Sequence, residues 1–149
     1  WKDDLKDGAW KFWYESGKLK EEGYYADGKR GGRWVAYNTA GLPISEGTYL
    51  NGMPTGRWSY FDDAGVKLRE QELLNGDPHG RCEVYDHRGR VVQRMSYVQG
   101  RLHGTMEFLD TDGRVTRSIE YREGLQVKEP PPAKQERAPA SVPGMGRRR

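Results

Sequence analysis

Three columns of glycine recur through the chain at a fixed interval of 24 residues. The first holds Gly8, Gly32, Gly56, Gly80 and Gly104; the second Gly17, Gly41, Gly65, Gly89 and Gly113; the third Gly28, Gly52, Gly76, Gly100 and Gly124. Fifteen of the 20 glycines fall in these columns, with no insertion or deletion between periods. A period this short and this regular defines a repeat protein. One unit cannot bury a hydrophobic face alone, so neighbouring units must complete one another.

Each unit reads as two strands and two turns. In residues 8–31, GAWKFWYESGKLKEEGYYADGKRG, the stretches WKFWY and LKEEGYYA have strand length and are bounded by turn residues. The third-column glycine follows Asp27, Asn51, Asn75, Gln99 or Glu123, and Asp-Gly and Asn-Gly supply the positive φ of tight hairpin turns. Before the tail the prolines are Pro43, Pro54 and Pro78. The spacing puts Pro54 and Pro78 inside the inter-repeat turn, where no ladder donor is lost, and Pro43 near a strand start. Helix is disfavoured: before the tail no window of 11 residues is free of glycine. The fold expected is all-β, an elongated array of antiparallel β-hairpins, about five 24-residue repeats of two strands each, in a single twisted sheet.

Composition suits a shallow ladder better than a two-layer sandwich. The chain is 34% hydrophobic and 32% charged with a mean hydropathy of -1.01, yet 11% aromatic. Large amphipathic rings can seal a thin, half-wet sheet. One aromatic column holds Trp10, Trp34 and Trp58, followed by Cys82 and Met106; another holds Tyr25, Tyr49, Leu73, Tyr97 and Tyr121. If the inter-repeat turn folds symmetrically about the third glycine, Tyr25 lies near Trp34, Tyr49 near Trp58, Leu73 near Cys82, Tyr97 near Met106 and Trp1 near Trp10. These residues form the expected cross-strand aromatic ladder. A further column, Trp13, Tyr37, Phe61 and Tyr85, with Leu109 in the last unit, is read as a stripe on the opposite face. It is either a partner-binding groove or part of the core.

The formal charge of +3 divides unevenly. Residues 127–149 hold six basic and two acidic side chains, which leaves 19 basic and 20 acidic in the body. The body therefore has no electrostatic footprint for a phosphate backbone, and no nucleic-acid partner is expected. The division also sets the expected domains: a repeat domain over 1–126 and a Pro/Arg-rich, disordered tail over 127–149. Residues 1–7 align with residues 25–31, as though the chain were cut in mid-repeat at its N-terminus. No stretch has the roughly 20 apolar residues of a membrane-spanning helix.

Candidate chemistry is sparse. His79 and His103 share a column but lie one repeat apart, about 10 Å, too far to share a zinc ion. Asp110, Asp112 and Gly113 resemble the start of a calcium loop, but Arg114 and Tyr121 stand where an oxygen ligand and a glutamate are needed. His87 and these aspartates read as turn residues. Cys82, the single cysteine, stands in the tryptophan column as a small buried filler. No nucleophile elbow, phosphate loop or paired-cysteine motif occurs. An enzyme is not expected, nor any cofactor, metal or catalytic residue.

The pattern G-x-W-x-x-[YFW], a turn to glycine, a charged strand ending in tyrosine and then [DN]-G resembles the MORN-repeat variant family. These are bacterial repeats of YwqK-type antitoxin components, related to membrane occupation and recognition nexus repeats. DGAWKFWYESGKLKEEGYYADGKRGGRW and NGMPTGRWSYFDDAGVKLREQ carry the resemblance, which spans residues 8–124. It departs where Cys82 and Met106 replace tryptophan and Leu109 replaces the second aromatic. The resemblance implies a hairpin ladder that binds another protein, in an antitoxin-like role; the single cysteine fits a reducing compartment such as the cytoplasm without demanding one. The alternatives are a membrane-associated module on anionic lipid and a structural spacer of a larger protein.

Overall fold

A computed structural model describes residues 1–127. The tail expected to be disordered therefore lies, from residue 128 onward, outside the described residues. All described elements are strands: β1 (Gly8–Trp13), β2 (Leu19–Ala26), β3 (Lys29–Tyr37), β4 (Pro43–Leu50), β5 (Met53–Phe61), β6 (Lys67–Leu74), β7 (Asp77–Tyr85), β8 (Val91–Val98), β9 (Arg101–Leu102), β10 (Gly104–Leu109), β11 (Val115–Arg122) and β12 (Leu125–Gln126). They form one antiparallel sheet in sequence order, with β9 pairing β8 beside the main path. The count is twelve rather than ten. The strand equivalent to β3, β5 and β7 is broken at His103 into β9 and β10, and β12 starts a further unit.

Two turn designs alternate. The five-residue turn after β3 closes with Gly41 N–H on the Asn38 carbonyl at 3.0 Å. Asn38 Oδ1 also accepts the N–H groups of Ala40 and Leu42. Asp62, Asp86 and Asp110 do the same one, two and three periods on. The side chain thus does backbone work, the Asx-turn property that short polar residues bring to turns. The second design is a two-residue hairpin turn with positive φ at both positions, for example Asp27 at 50° and Gly28 at 79°. All fifteen column glycines have positive φ.

The prolines sit differently from the sequence expectation. The inter-repeat turn uses only Asn51 and Gly52, so Pro54 is already the second residue of β5, opposite Tyr49; Pro78 is likewise in β7, opposite Leu73. In a two-residue hairpin the pair flanking the turn exchanges hydrogen bonds and the next pair does not. The missing proline N–H therefore points away from its partner strand. On that same side, the Pro54 carbonyl accepts the N–H of Gly76, the next turn, at 2.8 Å. Gly28, Gly52, Gly100 and Gly124 donate in the same way to Lys6, Arg30, Pro78 and Leu102, tying each hairpin tip to the tip before it.

Most of the core is one side-chain layer on one face, with Val35, Ser59 and Leu109 buried on the other. Trp1, Trp10, Tyr25, Trp34, Tyr49 and Trp58 meet edge to face in succession, with centroids 5.1 to 6.0 Å apart. Trp34 and Trp58 are 2% and 7% exposed. Tyr25 reaches Trp34 diagonally rather than directly, because the register shifts between Glu22 and Tyr24 and sets Trp34 at the level of Gly23. That glycine is required: an added Cβ would lie inside the Trp34 ring, and one at Gly47 inside Trp58. One and two periods on, Gln71 and Met95 replace the glycine, and the tryptophan facing them becomes Cys82 and Met106. Cys82, Met95 and Met106 form a buried cluster under Tyr97 and Tyr121.

Arg30 completes the layer. Its guanidinium stacks 4.1 Å from the Trp34 ring and 5.4 Å from Tyr49, and pairs with both oxygens of Glu21. Burial opposes its charge, but the Glu21 hydrogen bonds and charge outweigh that and hold its pKa above the ordinary value.

The matched sizes predict a compensating pair. Gly47→Gln alone should destabilise the fold by about 1–3 kcal/mol through overpacking. Gly47→Gln with Trp58→Cys should be less destabilised than the two single variants summed, read from urea midpoints in a double-mutant cycle.

Candidate functional site

Alternation along β1 sends Trp10 and Phe12 to the aromatic layer and Lys11 and Trp13 to the opposite face. By the same offset Tyr37, Phe61, Tyr85 and Leu109 lie on that second face. The structure sets each at a strand end beside the five-residue turn, where the pairing register shifts: Trp13 opposite Leu19, Tyr37 opposite Pro43, Phe61 opposite Lys67 and Tyr85 opposite Val91. Their exposure differs. Trp13 is 57% exposed, Tyr37, Phe61 and Tyr85 are half-buried, and Leu109 is buried. The row is open at its first member and closed at its last.

Two of the rings are anchored through their hydroxyls. Tyr37 donates to Glu22 Oε1 at 2.7 Å, and Tyr85 stands 3.1 Å from both Glu70 Oε2 and Glu83 Oε2. Burial pushes the Tyr37 pKa up to about 12, reinforced by the hydrogen bond to Glu22 and its charge. Burial, then the charge of Glu70, also raises Tyr85. The Lys67 ammonium, 2.6 Å from Glu70 Oε1, holds that carboxyl below the usual range.

Between the rings the face carries opposite charges in facing rows. Arg33 pairs with Glu46 at 2.8 Å, Lys11 with Glu22 at 4.0 Å and Arg94 with Glu83 at 3.5 Å. Such exposed pairs contribute little stability, at most about 1 kcal/mol each. Lys11, Glu22, Tyr24, Arg33, Val35 and Tyr37 line an open groove of about 360 Å³ across β1, β2 and β3. It offers both signs of charge, two tyrosines and an apolar floor, and Trp13 stands just beyond Lys11 on the same strand.

Cys82, His79 and Asp110, among the residues considered for chemistry, each make a structural contact. Cys82 is 1% exposed and burial raises its pKa, which disfavours the thiolate. His79 Nδ1 accepts the Gln99 N–H at 3.3 Å, tying one hairpin tip to the next. Asp110 holds its own turn, as described above. No group of three or more His, Cys, Asp or Glu among the described residues is placed to hold a metal ion.

A family model described as MORN repeat variant matches residues 6–27, which is β1, the first turn and β2. The fold is thus a β-hairpin repeat scaffold, one unit of which is similar to that family. No curated protein matches the chain.

Alkaline titration tests the anchored tyrosines. A group whose folded pKa lies above its unfolded value contributes stability below the unfolded pKa and loses it as pH rises through the folded one. Stability should therefore fall between about pH 10 and pH 12. Tyr37→Phe should remove a late-ionising phenol from the absorbance titration and reduce that fall.

Proposed function

We propose that the chain is a non-catalytic scaffold that binds another protein through the charged face, with Trp13, Tyr37, Phe61 and Tyr85 as anchors. The antitoxin-like role, neutralisation of a toxic protein partner, is the particular form of this reading. The observation that carries it is the exposed ring at the N-terminal end of the row. The aromatic layer on the other face packs against itself, whereas Trp13 stands 57% exposed on a face that no second layer covers among the described residues. Exposed aromatic residues framed by charge are the usual anchors of protein interfaces, and the ion-pair rows would set register on a partner.

The test uses the full chain as bait in the native source, beside a Trp13→Ser, Phe61→Ser variant whose circular dichroism matches the parent. A protein retained by the parent and weakened by about tenfold or more in the variant supports the face as the interface. Equal retention overturns it. The antitoxin-like form further requires that the captured protein arrest growth when expressed alone and that co-expression of the chain relieve the arrest.

A further inference from the structure

Sulfur is gathered in one place in this chain. There are one cysteine and four methionines, and three of those five residues, Cys82, Met95 and Met106, make up the buried cluster beneath Tyr97 and Tyr121. The ladder sets them side by side. Cys82 lies directly opposite Met95, and the register that places Glu107 opposite Arg94 carries Met106 to the other side of Met95. The three therefore stand at one level on β7, β8 and β10, on one face, each about 5 Å from the next across the ladder. The same level continues to Gln71, opposite Cys82, and to Ile119, opposite Met106. An amide and a hydrocarbon both serve in that row, so packing alone does not require sulfur at the three positions between them.

The donor set specifies what fits. The Cys82 thiol is free and 1% exposed, and it makes no hydrogen bond among the described residues. The thioethers are held by donors: Gln93 Nε2 stands 3.1 Å from Met106 Sδ, and the Tyr97 hydroxyl 3.6 Å from Met95 Sδ. Each contact uses one lone pair of its sulfur and leaves the other. Val84, Leu102 and Phe108 pack against the cluster and make its surroundings apolar, and the charges of Arg69 and Glu83 act on the thiol with opposite signs. Thiolate and thioether ligands together select Cu(I), whereas zinc takes nitrogen, thiolate or carboxylate ligands, usually four. A monovalent ion with one thiolate is also neutral overall; a divalent ion on the same ligands would leave a net charge in an apolar layer. Methionine is unbranched with three rotatable bonds, so both thioethers can turn onto the Cys82 sulfur while the strands stay paired.

We propose that Cys82, Met95 and Met106 form a three-sulfur site for a soft monovalent metal ion, Cu(I). On binding, the S–H bond of Cys82 breaks and its proton passes to water, a sulfur–metal bond takes its place, and each thioether donates one lone pair. No electron is transferred, so neither oxidant nor reductant is needed. Because the ion binds the paired strands and not the unfolded chain, it stabilises the C-terminal units by mass action. The cluster is on the aromatic face, so the site stands independently of the charged-face reading.

The experiment is titration of the full chain with Ag(I), a soft monovalent stand-in for Cu(I), in chloride-free buffer, followed by the methyl NMR signals of its four methionines. One equivalent should move two signals, those that disappear in Met95→Leu and in Met106→Leu, and leave Met53 and Met145 in place. A second arm sets the chain in anaerobic competition with bicinchoninate for Cu(I). The Met95→Leu, Met106→Leu chain, whose swaps conserve core volume, should hold Cu(I) about tenfold or more weaker than the parent, and Cys82→Ala should lose the site. Circular dichroism establishes that each variant folds; should one unfold, the methyl signals of the parent decide alone. Shifts confined to Met53 or Met145, no shift at one equivalent, or Cu(I) retention unchanged in either folded variant overturns the proposal.

Discussion

The contact on which the sheet depends is an indole lying flat over a glycine. A single-layer sheet has no second sheet to bury its side chains against, so the rings must be covered by the strand next door. Gly23 and Gly47 open that space and Trp34 and Trp58 fill it. Each indole then presents its edge for Tyr25 or Tyr49 to meet, and Arg30 caps the stack. The same fit is met with other chemistry further along, where Gln71 faces Cys82 and Met95 lies against Met106. Where the glycine gives way to a larger residue, the tryptophan facing it gives way to a smaller one, as expected of close-packed interiors.

A second set of contacts couples the repeats along the opposite axis. Every two-residue turn donates its glycine N–H to the carbonyl of a residue one period less two positions earlier, beside the preceding two-residue turn. Position 54 and position 78 can be proline because this backbone site is asked only to accept. Side-chain layer and stacked tips both join neighbours only, so stability is distributed as a series of similar interfaces rather than held in a central core.

Much of this was legible in the columns. The second and third glycine columns announced the hairpins and both turn positions, whereas Gly32, Gly56 and Gly80 of the first column lie inside β3, β5 and β7; the aromatic columns placed Trp34 beside Tyr25 and Trp58 beside Tyr49. The register shift beside Gly23 recurs beside Gly47 and Gln71, each time facing a positive-φ glycine of the first column, Gly32, Gly56 or Gly80; what the three columns hid was the seat of Gly23 and Gly47 beneath the indoles, because those two glycines fall outside them and recur only once. A signal was present: the glycine disappears from the column at Gln71, just where the tryptophan disappears at Cys82. Pro54 and Pro78 were read into the turn because a two-residue turn is shorter than the spacing of turn-forming residues suggests. The face of Trp13 and its neighbours followed from strand alternation; their hydroxyl anchors, and with them the raised Tyr37 pKa, depend on carboxylates of adjacent strands that no single column displays.

The indole and its glycine belong to different glycine-bounded units, since Gly47 lies in the unit that begins at Gly32 and Trp58 in the next. Loss of residues 56–79 would set Gly47 against Cys82, and their duplication would set Gln71 against a second copy of Trp58, mismatched partners even with every turn glycine still in phase. A segment cut half a repeat earlier, residues 44–67, carries both partners with it. The cassette that can be gained or lost in the history of such an array is therefore offset from the unit that its most visible residues mark out.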